Sequence, residues 1–301
     1  VLVVPVVAFG EWFVEHAQIL LASLQSAGNL PDVESKVIVY TDQPEAFPGY
    51  EVVHLTQKII TRRMGERGSK HLVTTNCYAE AMRLGHPIVP ASADMICPTG
   101  MLAALERLAR NYRVVLVPVL RTNSHRMRKA LGPVNGPISL SPRELCRKGF
   151  ANLHELQEHM YWDNLPSDVA PTTIFRRLGD TIVARCFHMH PIMLRLPPDT
   201  ALSPSIDGEL MARMPLQDCY VVQDSDETVV FDLTATDYNW SAGYLDRFGP
   251  KMSIKHWANS KANKTHRWFF AHECTIHAGE IERLPPEPGL DALCAQINAM
   301  P

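Results

Sequence analysis

Val1-Leu2-Val3-Val4-Pro5-Val6-Val7-Ala8-Phe9-Gly10 opens the chain, and its reading decides the fold. The run is apolar up to Phe9 and rich in valine, with no polar alternation. That is the pattern of a strand buried on both faces in a parallel sheet. Gly10 breaks it. Glu11 to Ala27 then carries Phe13, Ala17, Leu20, Leu21 and Leu24 at helical spacing, with Gly28 placed as a C-terminal stop.

Outward from this unit the alternation repeats. Lys36 to Thr41 predicts a second buried strand ending at Asp42, and Tyr50 to Leu55 a third. Gly68 to Leu84 predicts a helix closed by Gly85, and His86 to Ile96 a fourth strand running into Pro98. Met101 to Arg110 predicts a helix and Tyr112 to Leu120 a valine-rich strand. Short apolar strands alternating with helices specify an α/β fold with a largely parallel sheet flanked by helices, Rossmann-like in outline.

The second half is less regular. Ser141-Pro142-Arg143-Glu144 is a capping box with proline at the first helical position, which predicts a helix to about His159. Thr181 to Leu196 alternates as a strand, and Cys219 to Val222 with Thr228 to Leu233 suggests a hairpin. Ser253 to Arg267 reads as a mobile or loop-rich segment. No stretch between 120 and 180 has linker composition, so residues 1–301 are expected to form one domain, with 1–120 and 121–301 as its halves.

The 301 residues are 46% hydrophobic and 20% charged, which fits an ordinary globular protein. A net charge of −3 offers no global basic field, so nucleic acid is not an expected partner. The basic runs Arg121 to Lys129 and Lys261 to Arg267 read as solvated faces. Seven cysteines lie singly, without metal-binding spacing, and predict reduced thiols and a cytoplasmic location. Apolar runs are too short for a transmembrane segment. Val1 stands already inside an apolar run, so a segment upstream of it is expected.

Ligands of open parallel sheets bind beyond the carboxyl ends of the strands. Those ends carry Ala8-Phe9-Gly10, Thr41-Asp42 and Ala91-Ser92-Ala93-Asp94. Neither a G-x-G-x-x-G nor a P-loop lysine motif follows the first strand, which removes the main support for dehydrogenase and ATPase readings.

With those strand ends in view, the layout resembles the GT-A fold of nucleotide-sugar-dependent glycosyltransferases. The acidic D-x-D segment of that fold would fall at Ser92-Ala93-Asp94, where serine replaces the first carboxylate. A late histidine, His277 in His277-Ala278-Gly279, would supply the missing ligand. The resemblance implies transfer of a sugar from a nucleoside diphosphate sugar donor to a hydroxyl acceptor. Ala8, Phe9 and Gly10 would border the base and ribose, Asp42 and Ser92 would complete the nucleotide site, and Lys70 would neutralise the diphosphate. Asp94 and His277 would hold Mn²⁺ or Mg²⁺. An acceptor hydroxyl needs a base, and Asp207 and Glu209 beside Gly208 are the candidates.

Two alternatives stay open. Phe187-His188-Met189-His190 places His188 and His190 on one face of a strand, which suits either acceptor binding or a metal-dependent hydrolase. Loss of the acidic residue at Ser92 is also compatible with a catalytically silent binding module. Tyr161, Trp162, Tyr238 and Trp240 are candidates for stacking on a sugar or base, with Trp240 assigned to the acceptor.

Overall fold

The computed structural model describes residues 1–64, 70–164, 173–202, 206, 210, 213–237 and 262–300. These divide into two compact units. The first comprises 1–117, 134–141 and 190–220; the second comprises 118–133, 142–189 and 221–301. The first break falls beside the expected half-boundary at 120, but each unit also draws on later segments.

In the first unit, β1 (Leu2–Ala8) is buried along its whole length, as its valine run demands. It is followed by α1 (Glu11–Leu24), β2 (Ser35–Thr41) and β3 (Glu51–His54). Then come α2 (Gln57–Met64), α3 (Lys70–Met82) and two short strands, β4 (Ala91–Ser92) and β5 (Met95–Ile96). The order β3-β2-β1-β4 is parallel throughout, with Ala8 opposite Thr41 and Val7 opposite Ser92. A largely parallel α/β sheet is therefore present. The strand expected from His86 to Ile96 is instead broken, because the chain turns at Ala93-Asp94 between β4 and β5.

The unit continues with α4 (Met101–Leu108) and β6 (Val114–Val117). Tyr112 to Leu120 is not one strand. Pro118 has no N–H to give a ladder, and beyond it β7 (Val119–Asn123) belongs to the second unit.

The second unit holds β7, α5 (Ser124–Leu131), α6 (Pro142–Ala151), β8 (Thr173–Leu178) and β9 (Thr181–Cys186). The helix beginning at Pro142 ends at Ala151, and a separate 3-10 stretch covers Glu155–Met160. The predicted strand Thr181 to Leu196 is likewise two. After β9 the chain bends at Phe187 and His188, then β10 (His190–Leu194) pairs antiparallel with β6 in the first unit.

β11 (Cys219–Val221) and β12 (Val230–Thr234) form no hairpin, since β12 runs parallel beside β7 with Val230 opposite Val119. α7 (Lys264–Ala271), β13 (Cys274–His277) and α8 (Pro288–Asn298) complete the chain. β13 and β8 flank β9 in an antiparallel sheet. Its apolar cluster joins Ile174, Phe187, Phe270, Leu290 and Ile297, with the Phe187 and Phe270 rings stacked 4.2 Å apart.

The expected loop-rich segment is helical from Lys264. Asn263 accepts from the backbone N–H groups of Thr265 and His266, and His266 Nδ1 accepts from Asn263 N–H. That reciprocal cap starts a helix in a polar, basic sequence. Residues 253–261 lie outside the described residues.

Candidate functional site

At the carboxyl edge of the parallel sheet, Gly10 leaves β1 with φ 81°, a conformation glycine adopts without a Cβ penalty. Its N–H donates to both carboxylate oxygens of Asp42, each at 3.1 Å. Asp42 thus puts a negative charge at the start of α1, where the helix dipole favours one. A carboxylate already in that place leaves little room for a phosphate on the same N–H. On the strand beside β1, Ser92 Oγ donates to Asp94 Oδ1, so the serine orients the remaining carboxylate of the segment. Ala8 is buried, Phe9 packs against Phe13, and Lys70 stands at the first position of α3.

The strongest concentration of ligating groups is elsewhere. Asp224, Asp226 and His277 each offer one ligand atom, and these lie within 4.8 Å of one another. The segment before β12 runs parallel beside β13: Thr275 N–H donates to the Gln223 carbonyl at 2.7 Å and Ser225 N–H to the Thr275 carbonyl at 2.9 Å. Ser225 Oγ in turn accepts from His277 N–H at 3.0 Å. These bonds fix Asp224-Ser225-Asp226 against the end of β13, with both carboxylates on the imidazole.

His277 is 0% exposed, and its ring geometry places a proton on one of its two nitrogens. Nδ1 lies 2.7 Å from the Gly279 carbonyl oxygen. A carbonyl oxygen only accepts, so Nδ1 carries the proton. Nε2 then faces Asp224 Oδ1 at 3.0 Å and Asp226 Oδ1 at 3.7 Å. A bare lone pair against two carboxylate oxygens is repulsive, so the gap calls for a cation, either a proton on Nε2 or a metal ion.

The spacing suits a metal: two ligands at right angles on bonds of about 2.1 Å stand about 3.0 Å apart. A ring N–H held by a backbone carbonyl is also the usual outer support of a ligating histidine.

Arg143, at the start of α6, grips Asp226 side-on, Nε to Oδ1 at 2.9 Å and Nη2 to Oδ2 at 2.7 Å. This hydrogen bonding holds the Asp226 carboxyl below the usual range. Beneath the cluster, burial pushes the Cys146 thiol up to about 12, which keeps it protonated and out of metal chemistry near neutral pH.

No family model and no curated protein matches this chain.

The cation site proposed from sequence paired Asp94 with His277. The structure gives His277 the partners Asp224 and Asp226, and places Asp94 in the first unit with Ser92. Asp224-Ser225-Asp226 is a complete D-x-D that sequence reasoning passed over, although its spacing alone marked it.

His188 and His190 do not share a strand face. A bend intervenes, so period-2 alternation does not apply to them. The His188 ring lies 4.9 Å from that of His266, while His190 Nε2 is 3.4 Å from the Pro90 carbonyl oxygen. Tyr161 stacks at a tilt on Phe175. Asp207, Glu209, Tyr238 and Trp240 lie outside the described residues.

Proposed function

We propose that this protein is a divalent-metal-dependent glycosyltransferase of the nucleotide-sugar class, with its cation on Asp224, Asp226 and His277. The observation that carries the reading is the Nδ1–H of His277 on the Gly279 carbonyl, which aims Nε2 at two carboxylates. Two carboxylates and one imidazole are hard-to-borderline donors, the set suited to Mn²⁺ or Mg²⁺.

A divalent ion held there would offset the charge of a leaving diphosphate. The chain's own residues do the rest. Ser225 Oγ holds the His277 backbone N–H, and the Gly279 carbonyl holds the imidazole in its ligating orientation.

Mn²⁺ binding followed by electron paramagnetic resonance tests the assignment. Asp226→Asn and His277→Gln should each weaken Mn²⁺ binding by at least about tenfold, while Asp94→Asn should leave it unchanged. Loss of Mn²⁺ binding in Asp94→Asn but not in Asp226→Asn would return the site to the strand-end carboxylate.

A nucleoside diphosphate should raise the melting temperature more with Mn²⁺ than with chelator, since a ligand bound only to the folded state stabilises it by mass action. Three protein ligands also leave positions for water, so metal-assisted hydrolysis is the second reading. Donor consumption that needs no acceptor would favour it.

A further inference from the structure

The Asp226 carboxylate has both oxygens on Arg143, and the third guanidinium nitrogen, Nη1, lies 3.6 Å from Glu280 Oε1. Glu280 is 98% exposed and the Arg143 side chain 42% exposed, so the guanidinium stands at the solvent side of the cluster. Asp226 Oδ1 is meanwhile 0.7 Å farther from His277 Nε2 than Asp224 Oδ1 is (3.7 against 3.0 Å). Arg143 therefore holds Asp226 short of the approach that Asp224 has made. One carboxylate of the three-ligand set is pre-formed, and the other is shared with a competing cation.

Resting on the reading of Asp224, Asp226 and His277 as a cation site, we propose that Arg143 is the site's internal counter-ion. Metal uptake draws Asp226 inward, and the freed guanidinium takes a phosphate-type oxyanion at the mouth of the site. Two facts fix the ligand class. A guanidinium that has given up a side-on carboxylate presents a planar fork, which matches an oxyanion bearing two or more oxygens. A divalent ion on two carboxylates leaves coordination positions for oxygen donors of the same anion. Metal and anion binding are then coupled, and by linkage each strengthens the other by the same factor.

Calorimetry of the full chain with Mn²⁺ alone, and with inorganic phosphate in the presence and absence of Mn²⁺, tests this. In the wild-type protein Mn²⁺ should tighten phosphate binding. Arg143→Gln should bind Mn²⁺ alone about two- to fivefold more tightly, the worth of one exposed ion pair. It should bind phosphate at saturating Mn²⁺ about tenfold more weakly, the worth of a charged hydrogen bond.

Arg143→Lys keeps the charge but not the fork, and should recover part of the phosphate binding; unchanged melting of both variants guards against misfolding. The proposal is overturned if Arg143→Gln weakens Mn²⁺ binding, which would make the arginine a support for Asp226. It is also overturned if phosphate coupling survives the substitution. Absence of Mn²⁺ binding in the wild-type protein would remove the cation site itself, and this proposal with it.

Discussion

Asp226 is the residue on which the site's electrostatics turn. Its carboxyl is held below the ordinary aspartate range, chiefly by the hydrogen bonds from Arg143, with His277 adding to the effect. A lowered pKa in the folded state means that the pairing stabilises the protein above the unfolded aspartate value of about 3.9. That contribution is lost as pH falls through the lower folded value. Arg143→Gln should therefore move the Asp226 titration, followed by carboxyl carbon NMR, upward toward the ordinary range. An unchanged titration would show that Arg143 is not what holds the proton off. Because both side chains are 42% exposed, the effect should shrink in high salt.

At the scale of elements, the chain is held by caps and close backbone approaches as much as by apolar faces. Gly28 ends the turn after α1 with φ 71°, and a Cβ there would stand 2.7 Å from the Gly100 Cα at the start of α4. Neither backbone can give way easily. Asn29 ties the same junction, accepting from Leu102 N–H at 2.8 Å and donating to the Pro98 carbonyl at 2.9 Å. Gly28→Ala should cost about 1–3 kcal/mol, from overpacking and from strain at positive φ; a urea midpoint equal to wild type would contradict this.

In the second unit α7 depends on Asn263, whose side chain satisfies two N–H groups at the helix start. Asn263→Ala should cost about 1 kcal/mol, and Asn263→Asp should restore most of it, since aspartate caps as well. Equal midpoints for asparagine and alanine would show that α7 is held by packing alone.

For the molecule as a whole, all seven cysteines are free and buried. Burial pushes the thiols of Cys97 and Cys186 up to about 12, as it does that of Cys146. Thiolate is the reactive form, so each cysteine is shielded twice, by access and by protonation. The native protein at neutral pH should react only slowly with a thiol-specific disulfide reagent, and seven equivalents should appear on unfolding. Fast reaction of even one equivalent in the native state would show a local opening at that thiol. Among the described residues no helix is long and apolar enough to cross a membrane.

The sequence by itself determined what depends on local pattern. An unbroken valine run cannot face water on either side, so β1 had to be an interior strand, and the glycines and capping residues around it set where α1 and α4 begin and end. Breaks of one or two residues were harder to see. Pro118 and the bend at Phe187-His188 interrupt apolar stretches whose composition continues across them, so single strands were expected where the chain changes unit.

The candidate site was only half legible. His277 was identified from its own neighbourhood, but its partners are 53 and 51 positions away (277 − 224 and 277 − 226), and no local rule joins them. The strand-end position draws attention to the degenerate D-x-D at Ser92-Ala93-Asp94, while nothing beside Asp224-Ser225-Asp226 in the sequence ties it to His277. What brings that segment to His277 is the backbone bonding of Gln223 and Ser225 along β13, and the direction of the imidazole is set by the Gly279 carbonyl. Long-range pairing of backbone groups leaves no periodicity in the sequence, which is why only the tertiary structure decided where the carboxylates meet the histidine.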